Sequence, residues 1–182
     1  MEAIVDLGTL DRARDGDSSA FDALVEARVG QMLRLAMAIM GDEAEARDAV
    51  QDALVAAWRQ LSSLRDPGAF DAWLTRILVN RCRKGIRRVG VRRVHEVPVE
   101  AAEAIVDAAG DVGGAVAERR ALERAFDRLS IDDRTLLVLH HLEGRPLPSI
   151  AEVLGIPVGT AKSRLAKARQ SLGQALEREA AR

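Results

Sequence analysis

Thr160, Lys162, Ser163, Arg164, Lys167 and Arg169 place hydroxyls, ammonium groups and guanidinium groups over ten consecutive positions that contain no carboxylate. Donors and cations without an acid can meet phosphate with charge and base edges with directed hydrogen bonds. A second set, Arg76, Asn80, Arg83 and Lys84, recurs at i, i+4, i+7 and i+8, so on a helix an amide would stand amid cations. The third has the opposite sign: Asp48, Gln51 and Asp52, with Val55 beside them, would set two carboxylates and an amide on one helix face. Each set has a plainer explanation, a solvated polar face.

Catalytic constellations are missing. His140 and His141 are neighbours, which a helix would turn about 100° apart, and His95 lies far from both. Cys82 is the single cysteine, no HExxH or CxxC is present, and no glycine-rich loop follows a strand. Neither metal, cofactor nor enzymatic activity is expected.

The elements that must carry these groups are helical. Of 182 residues, 48% are hydrophobic and only 3% aromatic, with Ala, Leu, Val and Arg abundant, so an all-α chain is expected. After a short helix near Leu7–Ala13, the apolar spacing of Phe21, Leu24, Val25, Val29, Met32, Leu33, Ala36, Ile39 and Met40 predicts a helix over Ser18–Met40, ended by Gly41. Asp42 and Glu45 read as a capping box for a helix bearing Ala46, Val50, Ala53, Leu54, Ala57, Trp58 and Leu61. Asp66 and Pro67 open the next, whose buried stripe is Phe70, Trp73, Leu74, Ile77 and Leu78 and whose far end is basic.

A second helical unit begins near Val116, with Leu122, Ala125, Phe126 and Leu129 on one face. Ser130 and Asp133 then cap a helix carrying Leu136, Leu137, Leu139 and Leu142. Ile150, Ala151 and Leu154, then Gly155, then Ala161, Leu165, Ala168 and Leu172 give a helix-turn-helix pattern. Pro146 and Pro148 at its start predict a stiff first turn with few capping options.

Charge is sorted along the chain, which its net charge of -1 conceals. Met1–Asp52 holds twelve acids and five bases, Arg76–Arg93 eight bases and no acid, Glu96–Glu118 six acids and no base, and Val153–Leu176 four bases and no acid. Residues 94–115 read as an acidic linker that reaches at most ~70 Å at ~3.3 Å per residue. Its Glu96, Glu100, Glu103, Asp107 and Asp111 either imitate a nucleic-acid backbone or keep a tether solvated. Without an apolar run of about 18 residues, membrane insertion is not expected and a cytoplasmic location is.

The string EGRPLPSIAEVLGIPVGTAKSRLAKAR resembles the C-terminal promoter-binding region of bacterial RNA polymerase sigma factors of the extracytoplasmic-function group in the sigma-70 family. DAVQDALVAAW, residues 48–58, is similar to the helix by which those factors hold polymerase, and FDAWLTRILVNRCRK, residues 70–84, to their downstream-promoter-reading helix. The resemblance implies a region 2 domain over 1–93, a linker over 94–115 and a region 4 domain over 116–182, with core RNA polymerase and promoter DNA as partners and an anti-sigma factor as a further one. It assigns Asp48, Gln51, Asp52 and Val55 to polymerase. Arg76, Asn80, Arg83 and Lys84 go to the downstream element, with Ser63 and Leu64 of the loop 62–68, which is either a base pocket or a plain connector. Thr160, Lys162, Ser163, Arg164, Lys167 and Arg169 go to the upstream element. Lys84 departs from the family, which usually has an acid four residues after the Asn. The rival reading is a helix-turn-helix regulator that binds duplex DNA without polymerase; it would want a sensor or receiver in the first half, and none is evident.

Overall fold

The structure, a computed structural model, describes residues 6–95 and 113–181, and among them every regular element is helical. The elements are α1 (Leu7–Arg14), α2 (Ser18–Met40), α3 (Glu43–Gln60), α4 (Phe70–His95), α5 (Gly113–Asp127), α6 (Ile131–Leu137), α7 (Leu147–Leu154) and α8 (Val158–Ala180). Short 3-10 turns at Leu61–Ser63 and Pro67–Ala69 join α3 to α4.

Local chemistry sets the boundaries. Asp6, Asp17, Asp42 and Ser130 each sit in extended backbone before a helix, with a side-chain oxygen accepting a first-turn N–H. Such a cap is worth about 1 kcal/mol. Gly41 ends α2 at φ 74°, a left-handed conformation that glycine adopts without a Cβ penalty. The capping box is present in its first half, Glu45 N–H donating to Asp42 Oδ1 at 2.9 Å.

In the first unit α2 is the central strut, with α1, α3 and α4 packed against it. Small residues on α3 (Ala46, Ala49, Ala53, Ala57) let it approach closely, and Phe70, Leu74, Leu78, Val79 and Cys82 of α4 fill the far side. Cys82 is fully buried, and loss of solvation pushes its thiol up to about 12. At pH 8 only about one thiol in ten thousand would be ionised. Labelling by a thiol reagent should therefore be at least about 100-fold slower in the native chain than in denaturant, as followed by absorbance.

In the second unit α6 and α7 pack across α8, burying Leu136, Leu139, Ile150, Val153, Ala161, Leu165 and Ala168. Directly after α6 the chain makes a π-helical turn, Val138–Leu142, in which Glu143 N–H bonds Val138 O at 3.0 Å. The extra residue in that turn rotates the frame, and Leu142 is 62% exposed. Near the end of α8, Glu179 is buried and held by Arg124 of α5 and by Arg128 in the turn just after it.

The two units share one apolar core. Leu129, Leu136, Leu137, Val138, Leu139, Ile150 and Val153 of the second join the cluster formed by α2 and α4. Glu96, Glu100, Glu103, Asp107 and Asp111, and most of the linker, lie outside the described residues.

Candidate nucleic-acid and polymerase interface

The helix-turn-helix is present as α7, a turn and α8. Gly155, at φ 66°, sends its N–H back to the last turn of α7, and Pro157 then opens α8. Pro146 and Pro148 do not prevent α7: Pro146 stands just outside it and Pro148 in the first turn, where a missing N–H costs nothing. On α8, Ala161, Leu165 and Ala168 are buried, while Lys162, Ser163, Arg164, Lys167 and Arg169 are exposed and Thr160 half-buried. Ser163 Oγ donates to Thr160 O at 3.0 Å, and Arg169 Nε donates to His141 Nε2 at 3.2 Å. Loss of solvation, then the charges of Arg169 and His140, hold His141 below the usual imidazole range, in keeping with a neutral ring that accepts that bond. His140 and His141 stack edge to face at 4.8 Å, and among the described residues no group of three or more potential ligands could hold a metal.

On α4, Arg76, Asn80 and Lys84 are exposed. Arg83 is partly buried, donating from Nε to Asp132 Oδ1 at 2.9 Å, with Asn80 Oδ1 at 3.4 Å from Nη1. In the loop before α4, Ser63 is exposed and Asp66 caps the turn by accepting Gly68 N–H at 2.9 Å. The Leu64 side chain is 5% exposed within the core and its carbonyl accepts from Arg14.

On α3, Asp48, Gln51, Asp52 and Val55 are all exposed on one strip, and no hydrogen bond or ion pair engages the two carboxylates among the described residues. They form one wall of a polar cleft whose other wall is Arg81, Lys84 and Arg88 of α4. Lys84 therefore faces carboxylates, a setting that suits a cation.

Two features had no clear trace in the spacing. Arg28 lies within the apolar stripe of α2, 8% exposed, bonding Asp71 and Leu24 O with its guanidinium 5.1 Å from the Phe70 ring centroid. Its position in phase with Leu24 and Val25 was the available signal. The other is an apolar groove of about 690 Å³ between the units, floored by Phe126, Leu137 and Val138 and flanked by exposed Met37, Leu122 and Leu142.

Two helical units, each with an exposed cationic helix, and an unpaired acidic strip on the first define a promoter-binding transcription protein of the sigma type. Residues 24–92 match the family described as Sigma-70 region 2, and residues 119–172 that described as Sigma-70, region 4. The chain is 36% identical to the ECF RNA polymerase sigma factor SigM of Mycobacterium tuberculosis, spanning 88% of this chain and 79% of that one. It is 32% identical to the RNA polymerase sigma-H factor of Pseudomonas aeruginosa over 92% of each. Among solved structures, that of CnrH in complex with the cytosolic domain of CnrY aligns with a TM-score of 0.63 at 30% identity, over 93% of this chain and 95% of that one. The chain belongs to the sigma-70 family of RNA polymerase sigma factors, in its extracytoplasmic-function group.

Proposed function

We propose that residues 1–93 hold core polymerase and read the downstream promoter element, that 94–115 link, and that 116–182 read the upstream element. Asp48, Gln51, Asp52 and Val55 dock on a basic surface of the polymerase. Asn80 pairs with base edges of the opened downstream strand, Arg76, Arg83 and Lys84 take its phosphates, and Ser63 lines the base-accepting loop. Thr160, Lys162, Ser163 and Arg164 enter the upstream major groove, and Lys167 and Arg169 take the backbone. The chain acts in the cytoplasm and without catalysis of its own; no helix among the described residues is long and apolar enough to cross a membrane. The observation that carries this reading is the exposure of all these groups except Arg83 and Thr160, away from the buried seams of their elements.

An anti-sigma factor is the further partner. The rim of the apolar groove carries Asp42, Glu43, Glu123 and Asp127 against Arg134 and His141, so the matching segment is an amphipathic helix with basic flanks.

Purified chain mixed with core polymerase and promoter DNA tests the reading: it requires retention on core enzyme and promoter-dependent transcripts. Arg164→Ala should weaken binding to upstream duplex about 5- to 100-fold and lower the salt slope by about one, with core binding intact. Loss of core binding in Arg164→Ala would overturn the division of labour.

A further inference from the structure

We propose that the cleft between α3 and α4 receives a polymerase segment carrying both signs of charge, with a basic side chain against Asp48 and Asp52 and a carboxylate against Arg81 and Arg88. The inference rests on the preceding reading in taking the acidic strip of α3 as the polymerase contact. It adds a second wall to that contact and an acid to the partner.

The two walls are laid out alike. Glu45, Asp48 and Asp52 stand at i, i+3 and i+7 on α3, and Arg81, Lys84 and Arg88 at i, i+3 and i+7 on α4. On a helix that spacing lines three side chains along one face. Small residues lie between them, Ala49 on one wall and Gly85 on the other, and they let the helices meet at the cleft floor. A Cβ on Gly85 would stand 2.9 Å from Met40 Cε and 3.9 Å from Glu45 Oε2, so a side chain there would have to displace the end of Met40.

Opposite charges in matching rows could close on one another, yet these do not. Among the described residues no hydrogen bond or ion pair links Glu45, Asp48 or Asp52 to Arg81, Lys84 or Arg88. Pairing does occur elsewhere on the same helices: Arg47 with Glu43 on the far side of α3, and Arg83 with Asp132 on α4. The space between the walls is about 220 Å³, room for inserted side chains.

A partner that was basic throughout would reach Asp52 only by coming up against Arg81 and Arg88. A charge seated in so narrow a cleft lies within about a Debye length, ~8 Å at physiological salt, of both walls. Attraction to one wall would then be offset by repulsion from the other. A helical segment with a base and an acid three or four positions apart gains from both, and it is held in one register, because a slip brings like charges together. Val55, 45% exposed beside Asp52, supplies the apolar contact at the mouth.

The two kinds of partner predict effects of opposite sign. Arg81→Gln/Arg88→Gln should lower affinity for core polymerase about tenfold, measured without DNA by competition against a labelled parent chain. With a purely basic partner the same change removes a repulsion and tightens binding. Equal or tighter binding by the variant overturns the proposal, as does a loss confined to bubble DNA, which would give this wall to nucleic acid. Lys84 is left intact because the downstream strand is assigned to it.

Circular dichroism follows helix content. Should the double variant lose it, Arg88→Glu decides, since Arg88 is exposed and no ion pair or hydrogen bond engages it among the described residues. It should bind core polymerase about tenfold more weakly, and equal or tighter binding overturns the proposal. Asp52→Arg tests the α3 contact separately: weakening by Asp52→Arg without weakening by the α4 variants sinks this inference and leaves the preceding reading standing.

Discussion

Asp52→Arg should lower affinity for core RNA polymerase about 100-fold, equivalent to ~2.7 kcal/mol, with helix content unchanged. Asp52 is exposed on α3 one turn from Asp48, and neither carboxylate has an intramolecular partner to lose among the described residues. The substitution removes an attraction and adds a repulsion toward the same basic partner, which makes its effect larger than simple neutralisation. Within the chain it adds a like charge across the cleft from Arg81, Lys84 and Arg88, but exposed charges there are screened by salt. Asp52→Asn should lose only about tenfold. Competition for core enzyme against a labelled parent chain measures both, and equal retention of parent and Asp52→Arg would remove α3 from the polymerase contact.

Phe70→Ala should destabilise the fold by about 3–5 kcal/mol in urea titration, a large part of the ~5–15 kcal/mol typical of whole domains. Phe70 has no exposure, its ring centroid lies 5.9 Å from that of Trp73, and the Arg28 guanidinium stands over its face. Truncation opens a cavity and takes the aromatic face away from a guanidinium that is 8% exposed. Phe70 also begins α4 directly after the loop that carries Ser63, so binding of opened DNA should fall by more than binding of upstream duplex. Phe70→Leu, which keeps most of the volume, should cost about 1–1.5 kcal/mol. A variant as stable as the parent would mean that the start of α4 is not the anchor of the first unit.

Helix limits were legible wherever local chemistry fixes them. Asp42 and Ser130 cap the helices expected of them, Gly41 ends α2, and Gly155 makes the turn between α7 and α8. The exposed faces were legible because exposure follows from periodicity once the seam is known: Ala161, Leu165 and Ala168 being inside puts Lys162 and Arg164 outside. What escaped depends on contacts distant in sequence or on a break in period. Leu142 is exposed after a π turn, which inserts a residue that no propensity announces. Leu64 entered it because the turn between α3 and α4 folds back on α1, where Arg14 binds its carbonyl. Arg28 is tolerated inside through Asp71, which lies 43 residues away. The engagement of Arg83 by Asp132, 49 residues apart, likewise belongs to the packing of one unit on the other.

The clamp on Glu179 has a mechanical consequence. At ~1.5 Å per residue the 23 residues of α8 make a rod of about 34 Å, with Lys162 and Arg164 near one tip and Glu179 at the other. Arg124 of α5 and Arg128, in the turn just after it, tie that far tip to the element into which the intervening chain feeds. A force that reaches α5 is therefore delivered to the butt of the rod, away from the tip that carries Lys162 and Arg164.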